Sequence, residues 1–456
     1  MKRTLSICFG IGTLVAIPSA YAVSTAQQIV LLEKMVKQQG RQINILSARL
    51  NKLENHPAPP PAPSTLPPGH PPPPVPPHSH VSFVRTSPSQ DTVLKQAASS
   101  DDVTAIPRTR LLLGDSKANV SIVGDISAMG FHVNDGKKDY MFFGTNTVTD
   151  SRLSVNSELK PSKNWIIGSH VQLGFDVNPS NALSQTSQTQ SPSIDMRRAE
   201  IYVTSKYLGT VFLGKGETAS DDTAYSDLSG TKLLGRATLD DIGGGLFFRN
   251  KNTGLLSGTT VSNTINGLDG FSRQYRIRYD TPSYKGFNLA TSAIADDRQD
   301  IALKFGHKLG NTKVAAQIAF TSPQYFNAGT ANAAHGNELN GSASVLFPIG
   351  FSLTGALGEV MANEAGRKDP NYFYFKPGFQ HKFFHAGLTA TSVDMGRYFN
   401  FAQNHDAATS YGVQLLQNID SWDLATYIGY RYFKLHRSGT PFDSMNLVMA
   451  GALYNF

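Results

Sequence analysis

The feature that most constrains this chain is a strict alternation of apolar and polar residues, repeated from Ala118 to the C terminus. Val120, Ile122 and Ile126 alternate with Ser121, Asp125 and Ser127. Leu153 and Val155 alternate with Arg152, Ser154 and Asn156, and Val171, Leu173 and Phe175 with His170, Gln172 and Asp176. Ile301, Leu303 and Phe305 alternate with Asp300 and Lys304, and Val314, Ala316, Ile318 and Phe320 with Lys313, Gln317 and Thr321. Period two marks a strand whose two faces meet different surroundings. A soluble sandwich also alternates. It would rarely need so many strands of about ten residues with no second apolar set to cover them. Strand length and number fit a closed barrel with one face in lipid and a polar interior.

The links between strands carry the same message. Short turns fall at 160–164, 206–209, 282–286, 309–312, 348–350, 383–385 and 418–421. Longer polar links lie at 134–148, 178–193, 216–272, 322–336, 396–407 and 436–443, with two shorter ones at 296–297 and 363–369. Long and short links largely alternate, as in outer-membrane barrels with tight periplasmic turns and long outer loops. The expectation is an all-β fold over 108–456: an antiparallel transmembrane β-barrel of about 16 strands with both ends in the periplasm. In the final stretch, Val448, Ala450, Ala452, Tyr454 and Phe456 share one uncharged face that ends in two aromatics. That suits a closing strand with its outer face in lipid and an anchor at the interface.

Ahead of the barrel the pattern differs. Lys2 and Arg3, an apolar core over 7–17 and the small residues Ala20 and Ala22 read as a cleaved secretory signal over 1–22. The core is too short to span a bilayer, and no later run reaches 18 apolar residues. The single cysteine, Cys8, lies within that signal, so the mature chain offers no disulfide, thiol nucleophile or Cys-bound metal. Over 23–56, Ile29, Leu32, Val36, Gln39, Ile43, Leu46, Leu50 and Leu53 step by three and four. This is an a/d seam with Gln39 its one polar member, so a short α-helical coiled coil is expected to precede the barrel. Self-association would run through Ile29, Leu32, Val36, Ile43, Leu46, Leu50 and Leu53, and the seam alone allows a dimer or a larger bundle. Residues 57–107 read as a proline-rich and polar linker, because proline fixes φ and donates no hydrogen bond. His56, His70, His78 and His80 are solvated linker residues on this reading, and no metal is expected.

The formal charge of +7 is spread along the chain, and charged residues are 16% of it. This is no nucleic-acid footprint. On the strand parity, Arg152, Arg198, Glu200, Arg276, Arg278 and Lys304 point into the lumen. The opposite orientation would place them in lipid at roughly 2–4 kcal/mol for each midplane Arg or Lys. The 216–272 link carries Glu217, Asp221, Asp222, Asp227, Asp240 and Asp241 against Lys232 and Arg236, with a small hairpin around 245–249. Fixed charges at an aqueous waist sort solutes by charge and size.

Three stretches resemble the general trimeric porins of Gram-negative bacteria. The first is Ser151-Arg152-Leu153-Ser154-Val155 with the strand that follows from Trp165. The second is Arg198-Ala199-Glu200-Ile201-Tyr202-Val203, running through Leu208-Gly209-Thr210-Val211-Phe212-Leu213-Gly214-Lys215. The third is Arg276-Ile277-Arg278-Tyr279-Asp280-Thr281-Pro282 with Gly286-Phe287. A terminal Phe, here Phe456, is that family's assembly signal. The resemblance covers roughly 118–456. The family's Pro-Glu-Phe-Gly-Gly type motif is absent from the long loop. The resemblance implies a homotrimer in the outer membrane of a Gram-negative bacterium, with the long loop folded into the barrel as a constriction. It implies passive diffusion of small hydrophilic solutes and ions. The N-terminal coiled coil is similar to that of a porin subgroup for phosphate or dicarboxylates, which hints at an anionic solute. With that arm in the periplasm, peptidoglycan joins lipid and a second copy of the chain as a partner to consider.

Two other roles compete. One is a plugged barrel that anchors the coiled coil to the cell wall, and the other is a surface protein binding a ligand through its outer loops. An enzyme is not expected. Gly114-Asp115-Ser116 is a three-residue match to one esterase motif, and His381 and His385 sit near a periplasmic turn with no paired serine. No cofactor is implied.

Overall fold

The computed structural model describes residues 81–86, 108–326 and 334–456. The expected signal, the coiled-coil seam and most of the linker lie outside these residues. In chain order the strands are β1 Val81–Thr86, β2 Arg108–Gly114, β3 Ala118–Asn134, β4 Asp139–Gly144, β5 Ser151–Ser162, β6 Trp165–Asp176, β7 Ser193–Ser205 and β8 Gly209–Glu217. Next come β9 Phe247–Arg249, β10 Leu256–Thr260, β11 Arg273–Asp280, β12 Phe287–Ile294, β13 Arg298–Leu309, β14 Thr312–Phe326, β15 Ala334–Leu346 and β16 Phe351–Ala362. The last are β17 Asn371–Phe384, β18 Gly387–Phe399, β19 Ala407–Ile419, β20 Leu424–Arg437, β21 Thr440–Pro441 and β22 Met445–Asn455.

Each barrel strand runs antiparallel to its neighbours, and β22 pairs with both β20 and β3 to close the circle. The result is a closed antiparallel barrel of 16 strands. Burial follows the alternation. In β20, Ala425, Tyr427, Gly429, Arg431, Phe433 and Leu435 are buried inward, while Ile428 and Tyr430 are exposed outward. Closure leaves no unpaired edge in lipid, which an open sheet could not survive there.

The 134–148 link contains a strand of its own. β4 pairs with the outer half of β3, residues 129–134, and β5 with the inner half, residues 118–125. The two are one barrel lane, interrupted at 145–150. The interruption turns inward, where the Asn146 side-chain amide donates to the Leu233 carbonyl and the Tyr427 hydroxyl, both at 2.9 Å. A six-residue strand beside a polar bend shows no long alternation, so the sequence pattern passes over it.

A second difference lies at the N-terminal edge. Val81–Thr86, read from sequence as linker, forms β1 and pairs with β2. β2 then pairs with β3 between Leu111–Ile122 and Gly114–Asn119. This extends the lane of β22 past the point where the chain ends. The seam is tight at that point. The Gly124 amide donates to the Phe456 carbonyl at 2.7 Å, and the Phe456 amide to the Gly124 carbonyl at 2.8 Å. A Cβ on Gly124 would lie 2.4 Å from Cζ of Phe456, so glycine makes room for the terminal ring.

Candidate functional site

The barrel interior is the site, and most of it is occupied by residues 218–272. Irregular backbone inside a membrane protein must find hydrogen bonds in the protein itself. Here inward-facing side chains of the wall supply them, in sequence order as far as Leu228 and in reversed order at Leu234 and Gly235. Arg276 Nε donates to the Glu217 carbonyl at 2.8 Å, and an Arg278 guanidinium nitrogen to Thr218 at 2.9 Å. Lys304 Nζ reaches the Asp221 carbonyl at 3.3 Å, and Gln317 that of Asp222 at 3.2 Å. Gln380 donates to Leu228 at 2.9 Å, Arg431 to Leu234 at 3.1 Å and Lys376 to Gly235 at 2.8 Å. Loop amides are served as well: Ala219 by Ser292 and Ser220 by Asp300, both at 2.8 Å, and Ser226 by Ser342 at 2.8 Å. The loop therefore lies along the inner wall from β11 to β20. Its middle carries the hairpin β9–β10, in the region where the sequence suggested one.

The six wall residues singled out from sequence all lie on the inner face, and five of them gather near the start of the loop. Glu200 joins Arg276 and accepts from His170 Nδ1 at 2.9 Å. Arg198 meets Glu217. Arg278 grips Asp280 with two bonds, at 2.7 and 2.8 Å. Arg152 stands apart on β5, 3.3 Å from Asp125. Most of these cations are thus committed to carboxylates or to the loop backbone.

The loop acids divide. Asp227 pairs with Lys376 of β17 at 2.9 Å, with the two side chains 2% and 0% exposed. Burial would push the Asp227 carboxyl up, but the Lys376 charge and the bonds from Ser229 hold it below its ordinary value. Asp241 pairs with Arg236 at 2.7 Å, and Arg236 lies 4.1 Å over the Tyr225 ring. Lys232 is buried, and Asp240 has one buried oxygen without a hydrogen bond. Asp221, Asp222 and Asp269 cluster. Burial pushes the Asp221 carboxyl up to about 7, with Arg273 pulling against it and Asp222 adding to the rise.

Residues that the sequence reading passed over are as telling. A bulge between Gln172 and Leu173 of β6 and the facing strand β7 turns Arg197 inward beside Arg198. Arg197 Nε donates to Gln172 at 3.0 Å and its guanidinium meets Asp150. Strict alternation would have put it in lipid. Lys376 and Arg431 were legible, since each is the charged member of an inward set: Tyr372, Tyr374, Lys376 and Tyr427, Gly429, Arg431.

A cavity of about 690 Å³ remains on the periplasmic side, and none of its lining comes from the loop. Arg110, Arg152, Lys160, Arg198 and His170 face Asp115, Asp125 and Glu158 across it. Arg152 pairs with Asp125 and Lys160 with Glu158, while Asp115 caps the amides of Lys117 and Ala118. Arg110, from β2, has a buried Nε without a hydrogen bond and makes no ion pair among the described residues.

A closed barrel of this size, with a loop folded inside it and a polar lumen beside the loop, has the architecture of a diffusion channel. Residues 96–438 match the family model described as Gram-negative porin. The chain belongs to the Gram-negative porin family. It is an outer-membrane channel for passive diffusion. Solved porins share the fold. An anion-selective porin from Comamonas acidovorans is 15% identical, with a TM-score of 0.52 over 75% of this chain and 100% of that one. The outer membrane protein OmpT of Vibrio cholerae, in a structure described as its trimer form, is 14% identical, with a TM-score of 0.50 over 75% of this chain and 100% of that one. Among curated protein sequences none matches.

Proposed function

We propose that this porin passes small hydrophilic anions in preference to cations, performs no catalysis, and works as a homotrimer. The carrying observation is the charge balance of the periplasmic cavity. Its acids are paired or capping, and Arg110 is left as a cation without an ion-pair partner among the described residues. In a narrow polar space such a charge raises the local concentration of anions and lowers that of cations. The name of the Comamonas acidovorans protein describes anion selectivity, which agrees with this reading. The described trimer form of the Vibrio cholerae protein agrees with three subunits.

The test is the reversal potential of the refolded protein in a planar bilayer under a salt gradient. One charge acting at about 10 Å through water contributes on the order of 0.4 kcal/mol, so Arg110→Gln should lower the anion-to-cation permeability ratio about two- to fourfold. An unchanged ratio would remove Arg110 from the selectivity mechanism. Current steps that close in threes would support the trimer.

A further inference from the structure

The neck of the loop holds carboxylates that the diffusion pathway does not use. Asp221 and Asp222 stand on the outgoing limb just past β8, and Asp269 on the returning limb just before β11. One oxygen from each lies within 4.8 Å of the others. Asp221 is only 4% exposed, and its Oδ2 has no hydrogen-bond partner. Asp269 Oδ1 accepts one long bond, from the Ala224 amide at 3.4 Å.

One buried cation, Lys232, is shared among Asp222, Asp227 and Asp269, and the other cations around the cluster are spent elsewhere. Lys304 donates to the carbonyl of Asp221 at 3.3 Å. Arg236 is bound to Asp241, Arg278 to Asp280, and Arg273 reaches Glu217 at 3.9 Å. Among the described residues neither Asp221 nor Asp269 makes an ion pair. Carboxylates this close repel one another, and an unpaired buried charge is costly. A cation between them relieves both penalties.

We propose that Asp221, Asp222 and Asp269 form a divalent-cation site, Ca²⁺ by preference, that staples the two limbs of the loop together. Carboxylate oxygens are hard ligands, and the cluster has neither thiolate nor imidazole to favour a softer metal. Oxygens bound to one Ca²⁺ at about 2.4 Å lie at most about 4.8 Å apart, and the three carboxylate oxygens here fall within that limit. Mg²⁺ binds at about 2.1 Å in a stricter octahedron and gives up water reluctantly, so it fits less well. The limbs already touch through the Phe271 amide and Ser220 Oγ at 2.9 Å. The ion would add a charge-neutralising clamp beside that bond and hold the loop in the lumen.

The experiment uses the refolded full chain, treated with a chelator and titrated with Tb³⁺, with emission sensitised by tyrosine as the readout. Saturable emission is expected, displaced by Ca²⁺ at lower concentration than by Mg²⁺. Asp269→Asn should weaken Tb³⁺ binding about tenfold or more, since losing a direct ligand costs at least as much as losing a supporting one. Heat-modifiable gel mobility would verify that the variant barrel is closed. If it is not, the unfolding temperature of the unaltered protein decides, rising in Ca²⁺ above its value in Mg²⁺. Absence of saturable emission would overturn the site and leave a shared proton as the way the carboxylates coexist. Tb³⁺ affinity in Asp221→Asn and Asp269→Asn equal to that of the unaltered protein would overturn it too, by placing the ion elsewhere.

Discussion

Lys376 shows how one residue holds the loop. Its ammonium lies between the Asp227 carboxylate at 2.9 Å and the Gly235 carbonyl at 2.8 Å, with no solvent exposure. Two segments of the loop are thus fixed to one point on β17. A buried ion pair adds little net stability over a well-packed apolar pair, but removing one partner strands the other. Lys376→Met should therefore cost about 3–5 kcal/mol, while Lys376→Met combined with Asp227→Leu should cost much less. Thermal unfolding of the refolded barrel measures both. The single variant should also show noisier single-channel currents, because the loop segment around Asp227 loses its anchor. A single variant that unfolds at the same temperature as the unaltered protein would mean that water reaches the pair. The Arg431–Asp394 pair, with both contacts at 2.9 Å, holds the adjoining segment at Leu234 by the same logic.

At the scale of elements, the β9–β10 hairpin is held at the outer mouth. Its Arg249 meets Asp135 of the β3–β4 turn, the Lys251 amide donates to the Pro441 carbonyl at 2.9 Å, and the Asp443 amide to the Arg249 carbonyl at 2.9 Å. Burial would raise the Asp135 carboxyl, but bonds from Arg249 and from the Lys138 and Lys137 amides outweigh it and hold it below its ordinary value. A depressed carboxylate stabilises fully above the unfolded value of about 3.9 and loses that contribution as pH falls through the lower folded value. The hairpin should accordingly resist pepsin at pH 4 and be nicked near residues 250–255 only once the pH has fallen through the lowered folded value of Asp135. Arg249→Ala should bring nicking on at pH 4, and a hairpin equally resistant at every pH would mean that other contacts anchor it. The presence of this hairpin was legible, because glycines bracket an apolar pair. Its anchorage was not, because Asp135 and Arg249 are far apart in sequence and nothing local ties them. The barrel strands were legible for a physical reason: lipid on one side and a polar lumen on the other force period two. Where that contrast lapses, at the bulge beside Arg197, in the short β4 and in the Leu111-Leu112-Leu113 run of β2, the pattern carries no instruction.

For the whole molecule, the same two-sided environment explains why the chain needs β2. β22 ends at Asn455, while β3 continues to Ala118 on the periplasmic side, so one edge of β3 would stand bare below Gly124. β2 covers it from Asn119 to Ile122, and Thr109 Oγ1 ties the patch to Asp423 of the neighbouring turn at 2.9 Å. The patch also delivers Arg110 to the cavity, so wall closure and the proposed selectivity would depend on one segment. Two truncations separate its parts. Removing residues 1–107 takes β1 away but keeps β2, and the refolded barrel should conduct with its ion preference intact. This truncation also tests the anchor reading, because a protein whose role is to tether the N-terminal arm would lose its purpose and keep no measurable flux. Removing residues 1–116 takes β2 as well. That variant should unfold at a lower temperature, since each lost backbone bond is worth about 1 kcal/mol, and its permeability ratio should fall as in Arg110→Gln. If the longer truncation matched the shorter in both respects, β2 would be dispensable to the wall and Arg110 to the pore. If it unfolded earlier but kept its preference, the patch would serve closure alone, and the charge that sorts ions would have to be sought among Arg152, Lys160 and Arg198.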